Sequence, residues 1–253
     1  MKRDEYYEKL IEKVEEEMME GNYERALKYM DKIMATKKNE NLWMIKGKLL
    51  MKLNKFEEAL ECFDKALEIN EKNDMAVVLK GALWCRTNRI DEGEKLIDTA
   101  LKLNPKNFAA LYLKGAIEGL RGRKENELKL KAEAAFILFY IGADIDAFYI
   151  FREIYYSGID LPIRYECGVA YAAMLKFLIL IGPDDEKKEE EHTKIVLDCW
   201  ENKEKICKSA KILLNDMMGE EVGDIVANNE KDYTFKELLE HLEVEYGEKE
   251  NRR

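Results

Sequence analysis

The chain has 253 residues, room for one elongated domain or two small ones, and 47% of them are hydrophobic, enough for a sizeable core. Three prolines and fourteen glycines leave too few turn signals for a sandwich or barrel, so an all-α fold is predicted. Charged residues reach 37% with a net charge of −10, and no long segment carries a basic excess, which disfavours sequence-independent binding to nucleic acid or to anionic membranes.

From the N-terminus, MKRDEYYEKL is charged throughout and lacks an apolar h-region, so no signal peptide is expected. A first helix is predicted from Asp4 to Glu20. The stretch Asn22-Tyr23-Glu24-Arg25-Ala26-Leu27 then parallels Lys55-Phe56-Glu57-Glu58-Ala59-Leu60 at an offset of 33 residues. Next, Lys46-Gly47, Lys80-Gly81 and Lys114-Gly115 recur at a spacing of 34. In the same register Trp43, Val77 and Leu111 precede the glycines by four, and Leu50 and Trp84 follow them by three. Ala66-Leu67 recurs as Ala100-Leu101, and the repeats close alike on Asn70-Glu71-Lys72-Asn73 and Asn104-Pro105-Lys106-Asn107.

Two antiparallel helices per repeat explain the pattern. Trp43, Gly47 and Leu50 fall on one helical face, and Ala59, Phe63 and Ala66 fall on one face of the next helix. Asn54-Lys55 and Asn88-Arg89 supply the polar break between them. The residues Trp43, Gly47, Leu50, Ala59, Phe63, Ala66 and Pro105 make this stretch resemble the tetratricopeptide repeat (TPR) family. That resemblance implies an α-solenoid of antiparallel helix pairs, a right-handed TPR superhelix, over residues 1–123, or about three and a half units. Lys46 and Lys80 depart from it where the family prefers an apolar residue, and Gly93 replaces the alanine found at Ala59.

Beyond residue 123 the pattern decays. Ala135, Gly142, Ala147 and Phe151 keep the small, turn, small and aromatic spacing of one degenerate unit near residues 128–161, within a region 124–182 expected to be TPR-like or an apolar helical bundle. From Ile163 to Ile181 apolar residues surround the helix axis, which predicts burial on most sides. Residues 183–253 hold 12 Lys and Arg against 21 Asp and Glu, so most of the net charge lies there. A helix opening at Asp184–Glu191, with a break near Asn202, is expected to reach Met218-Gly219, followed by a polar linker Gly219–Asp232. A last helix from Thr234, with a capping box to Glu237, carries Phe235, Leu238, Leu239, Leu242 and Tyr246 on one stripe. These acidic helices are expected to cap the solenoid, with a dimer contact as the alternative.

The catalytic inventory is poor. Ser157 and Ser209 lie in no nucleophile elbow, and no Gly-rich phosphate loop occurs. Glu189-x-x-His192 and the trio Glu237, His241 and Glu245 are thin candidates for metal binding, so neither metal nor cofactor is expected. Cys62, Cys85, Cys167, Cys199 and Cys207 form no Cys-x-x-Cys pair and fit buried thiols in a reducing, cytoplasmic compartment.

In the family, the first helix of each repeat lines the concave side. The resemblance therefore places a groove at Ile11, Glu15 and Met18 in the first unit and at Asn41, Met44, Lys48, Met51 and Lys52 in the second. It continues through Met75, Val78, Ala82, Cys85 and Arg86 in the third and Ala109, Tyr112 and Ala116 in the fourth. Flexible thioethers suit a surface that accepts an apolar helix. The clamp of Lys, Asn and Arg that some members use for a C-terminal carboxylate is missing, since Ile11, Glu15, Met44, Val78 and Ala82 occupy its region. The expected function is a non-enzymatic scaffold that binds another protein, as peptide or helix, along this groove. A self-assembling subunit whose C-terminal helices fill or pair the groove is the alternative, and an enzyme with a site between solenoid and C-terminal helices is the weaker one.

Overall fold

The structure, a computed structural model, describes residues 3–181, 186–205 and 210–211. The described residues form α1 (Arg3–Met19), α2 (Tyr23–Met34), α3 (Glu40–Lys52), α4 (Phe56–Ile69), α5 (Asp74–Arg86) and α6 (Ile90–Leu103). These are followed by α7 (Phe108–Leu120), α8 (Lys124–Tyr140), α9 (Asp144–Tyr155), α10 (Pro162–Ile181) and α11 (Glu186–Glu201), then a short 3-10 turn at Lys203–Lys205. The fold is all-α, as predicted, with no strand among the described residues. The terminal helix from Thr234, the linker before it, the Glu237, His241 and Glu245 trio and Cys207 lie outside the described residues.

The chain divides into two compact units, Met1–Ile117 and Glu118–Arg253, rather than at the expected boundary after residue 123. The division falls inside α7 because its earlier residues belong to the core of the first unit, where Ala110 and Ile117 join Val77, Val78, Ile97 and Ala100. Its last turn belongs to the second unit, where Glu118 accepts hydrogen bonds from Arg123 at 2.8 Å and Asn126 at 3.0 Å.

In the first unit consecutive helices pack as antiparallel pairs, and α3 touches α5 directly as well as α4. The small residues of the repeat allow this close approach. A Cβ on Gly47 would lie 2.4 Å from the Phe63 ring, so the glycine is the seat for that ring. One repeat later Ile97 is the fully buried counterpart of Phe63. There Gly93 leaves room for Cys85, whose sulfur would stand 2.4 Å from an added Cβ.

The loops follow from asparagine chemistry. Asn39, Asn73 and Asn107 cap α3, α5 and α7 by accepting the amides of Leu42, Ala76 and Ala110, each at 2.9 Å. Asn70 and Asn104 accept the amides of Lys72 and Lys106 two residues on, so the recurrent Asn-x-Lys-Asn is a turn joined to a cap. Within pairs, Asn54 and Asn88 adopt left-handed φ of 58° and 65°, in register with Gly21 at 77°. Asn88→Ala should therefore cost about 1 kcal/mol while Asn88→Gly costs little, measured as urea unfolding midpoints. Equal midpoints for the two variants would contradict this.

The lysines that precede the repeat glycines link successive repeats. Lys46 donates to Asp31 at 2.7 Å, Lys80 to Asp64 at 2.5 Å and Lys114 to Asp98 at 2.6 Å. Each aspartate sits on the second helix of the preceding repeat, so an apolar contact is exchanged for a partly exposed ion pair. Each pair contributes about 0.2–1 kcal/mol, and screening by salt weakens it.

In the second unit α8 and α9 pack against each other. Ala135, Ala147 and Phe151 are fully buried, Phe136 packs on Phe151 with ring centroids 4.9 Å apart, and Gly142 turns the chain at φ 81°. Along α10, Ile163 and every residue from Tyr165 to Ala172 are buried, which explains its all-round apolar sequence. Packing of α9, α10 and α11 is locked by phenols. Tyr155 donates to Asp198 at 2.7 Å, and Tyr156 and Tyr171 both donate to Glu191 at 2.8 Å.

Position 34 residues after Gly93 and Ile97 brings an unforeseen substitution. Glu127 and Lys131 occupy the places of a small and a large apolar residue, and both are buried, 8% and 6% exposed. Lys131 donates to Glu127 at 2.9 Å and to Glu153 at 2.6 Å, and Lys124 donates to Glu127 at 2.6 Å. The carboxylate of Glu127 lies over Gly119, where an added Cβ would come within 2.4 Å of it. Gly119 corresponds to Cys85, so the large and small partners of the preceding repeat have changed sides.

Candidate functional site: the exposed row of first helices

The predicted groove residues all lie in the first unit, on α1, α3, α5 and α7. Each helix turns one face into the core and leaves an adjacent stripe outside it. Ile11, Glu15, Asn41, Lys48, Lys52 and Arg86 are exposed. Half-buried are Met18, Met44, Met51, Met75, Ala82, Cys85, Ala109, Tyr112 and Ala116.

Not all of the stripe is open surface. Val78 is 2% exposed and belongs to the core with Val77 and Ile97, so it does not line a groove. Met18 packs against the cluster of Tyr7, Leu10 and Val14, and Met51 against that of Leu50 and Phe63. Cys85 fills the space above Gly93. These side chains stand next to the packing stripe, and for Cys85 the small Gly93 on the facing helix makes the room; a position count along one helix does not register the size of the residue on the facing helix.

On α3, Met44, Lys48, Met51 and Lys52 follow at i, i+4, i+7 and i+8 on one helical face, the lysines exposed and the methionines half-buried. Arg86 stands in the register of Lys52 one repeat later. It donates to Asn54 at 3.0 Å and holds its guanidinium 5.3 Å from the Phe56 ring. Met19, 85% exposed, occupies the same register one repeat earlier and was not foreseen. The constant offset of 33 to 34 residues would have located it.

Among the described residues no group of three His, Cys, Asp or Glu could hold a metal ion. His192 is buried at 5% exposure. Burial and the hydrogen bond to Glu191 push the Tyr156 phenol up to about 12, and burial with Asp198 pushes Tyr155 higher still. These phenols stay protonated at neutral pH and serve as donors rather than as acids or bases. Cys62, Cys167 and Cys199 are buried and Cys85 half-buried, all as free thiols. Burial pushes the Cys199 thiol up to about 12, far from the range of a reactive thiolate. No helix among the described residues is long and apolar enough to cross a membrane.

Residues 41–73 match one family model of the tetratricopeptide repeat, and residues 85–137 match a second. No curated protein matches the chain. Among solved structures, the chain is similar to PilW, described as a widely conserved type IV pilus biogenesis factor, at 18% identity over 84% of this chain and 98% of that one, with a TM-score of 0.45. It is similar to MamA from Desulfovibrio magneticus RS-1 at 15% identity over 77% of this chain and 93% of that one, with a TM-score of 0.43. YrrB, described as a TPR protein with an unusual peptide-binding site, is 22% identical over 52% of this chain and 66% of its own, with a TM-score of 0.40.

Proposed function

Because this chain belongs to the tetratricopeptide-repeat family, with repeats matched over residues 41–73 and 85–137, we propose that it is an interaction scaffold holding a segment of another protein along its first helices. The observation that carries this reading is the surface of α3, where the half-buried Met44 and Met51 alternate along one face with the exposed Lys48 and Lys52. Thioether side chains adapt to different partner shapes, and lysine stems extend the apolar area. Burying one methionine fully contributes roughly 1.5–3 kcal/mol before ordering costs. A few such contacts support micromolar binding to a preorganised partner.

A scaffold needs no chemistry of its own, in keeping with phenols and thiols that stay protonated and serve packing. The cytoplasm as compartment and the monomer as functional form are parts of the same proposal.

The test compares partners captured from native lysate by the wild-type chain and by a Met44→Glu, Met51→Glu variant that retains its helical circular dichroism. Partners held by the wild type and lost from the variant are the expected result. Identical capture by both, or no capture by either, would move the function away from this surface. Light scattering on the same samples addresses the self-assembly alternative, which predicts a larger species whose mass falls on dilution.

A further inference from the structure

We infer that the partner segment is acidic where it crosses α3 and α5, and that Lys48, Lys52 and Arg86 select it by charge; this rests on the scaffold reading above. The observation is one of pairing. Between their first turns and their ends, α3 and α5 carry five cations and no carboxylate. Two of the five, Lys46 and Lys80, are neutralised by Asp31 and Asp64 of the preceding repeats. Lys48, Lys52 and Arg86 are exposed and have no carboxylate partner among the described residues. Arg86 is nonetheless held in place, by the neutral oxygen of Asn54 and the face of Phe56, so its charge is positioned without being cancelled.

The three cations form one patch: Lys48 and Lys52 are one turn apart on α3, and Arg86 repeats the position of Lys52 on α5. Met44 and Met51 border the same stripe, so a segment lying there meets apolar and cationic groups together. On α1, Glu15 takes the register of Lys48 and reverses the sign, which ends the cationic stretch and sets a direction for the bound segment. Charge arranged in this way contributes selectivity and association rate more than raw affinity.

The test is selection of a random dodecapeptide library displayed on phage against the full chain and, in parallel, against Lys48→Gln, Lys52→Gln, Arg86→Gln, which keeps side-chain volume on an exposed surface. Peptides selected by the wild type should be enriched in Asp and Glu over the input library, against the general repulsion of a chain of net charge −10. A selected peptide, fluorescein-labelled, should bind the triple variant about ten-fold more weakly by anisotropy, and its wild-type affinity should fall with added salt. If the triple variant loses its helical signal, the double variant at Lys48 and Lys52 carries the same comparison. Acidic peptides that bind wild type and variant alike overturn the inference. Neutral or basic peptides lost on Met44→Glu, Met51→Glu overturn it while leaving the scaffold reading in place; no enrichment at all removes both. A concentration-dependent dimer that the triple variant dissociates would make a second copy the occupant and overturn it as well.

Discussion

Phe63→Ala is expected to cost about 3–5 kcal/mol of unfolding free energy. The ring is fully buried, and it rests on Gly47 between Ala59 and Ala66. None of these three neighbours has a side chain long enough to move into the space a missing ring leaves, so refilling falls to the longer side chains around them, such as Met51. Urea unfolding followed by circular dichroism measures the loss, and a cost below about 1 kcal/mol would show that the helices collapse onto the gap. The complementary change tests the same contact from the other side. Gly47→Ala places a methyl group 2.4 Å from the ring and should itself destabilise. Combined with Phe63→Leu, which withdraws the ring edge, Gly47→Ala should cost less than the two single changes added together.

Lys131→Met is expected to cost about 2–4 kcal/mol, less than a fully interior pair because Lys124 still reaches Glu127. The methionine fills similar volume but leaves the Glu127 carboxylate buried with one cation fewer. Replacing both members, by Glu127→Ala with Lys131→Ile, restores the small and large apolar residues that Gly93 and Ile97 supply one repeat earlier, and should recover most of the loss. If single and double variants are equally unstable, the charges are not what holds this layer.

The same pair sets a pH dependence. Burial pushes the Glu127 carboxyl up, but hydrogen bonds from Lys124 and Lys131 outweigh it and hold the group below its ordinary value. A carboxyl depressed on folding stabilises the protein above its unfolded value, about 4.3 for glutamate, and that contribution is lost as pH falls through the folded value. Removing Lys131 weakens the opposing attraction, so acid unfolding of Lys131→Met should begin at higher pH than in the wild type. A circular dichroism titration from neutral to acid pH reads this shift, and coincident curves would contradict it.

The repeat itself was legible from residue order. Gly47, Gly81 and Gly115 at constant spacing, with Phe63 and its flanking alanines, specify two helices per unit because close approach and a filling ring leave a periodic signature. Asn54 and Asn88 between the helices, and the recurrent asparagines at unit ends, are local chemistry and were readable as such. Asp31, Asp64 and Asp98 carried the same kind of signal, since they recur in step with Lys46, Lys80 and Lys114, but a charge on an amphipathic helix gives no sign of its own that it faces a partner rather than water. Of the predicted stripe, Lys48, Lys52 and Arg86 are exposed, whereas Val78 is core and Cys85 leans over Gly93.

Sequence alone therefore determined what is periodic or local: the all-α class, the helix pairs, the polar breaks between them and the register of the first helices. Tertiary structure decided what depends on the residue across the contact. Glu127 and Lys131, one turn apart, are a buried pair because Gly119 leaves room for the carboxylate and Glu153 approaches the ammonium from another helix. The boundary of the first unit, inside α7 at Ile117, has the same origin. Helix formation is set by neighbours along the chain, but where a core ends is set by which side chains meet between helices, and a one-dimensional spacing carries no record of that meeting.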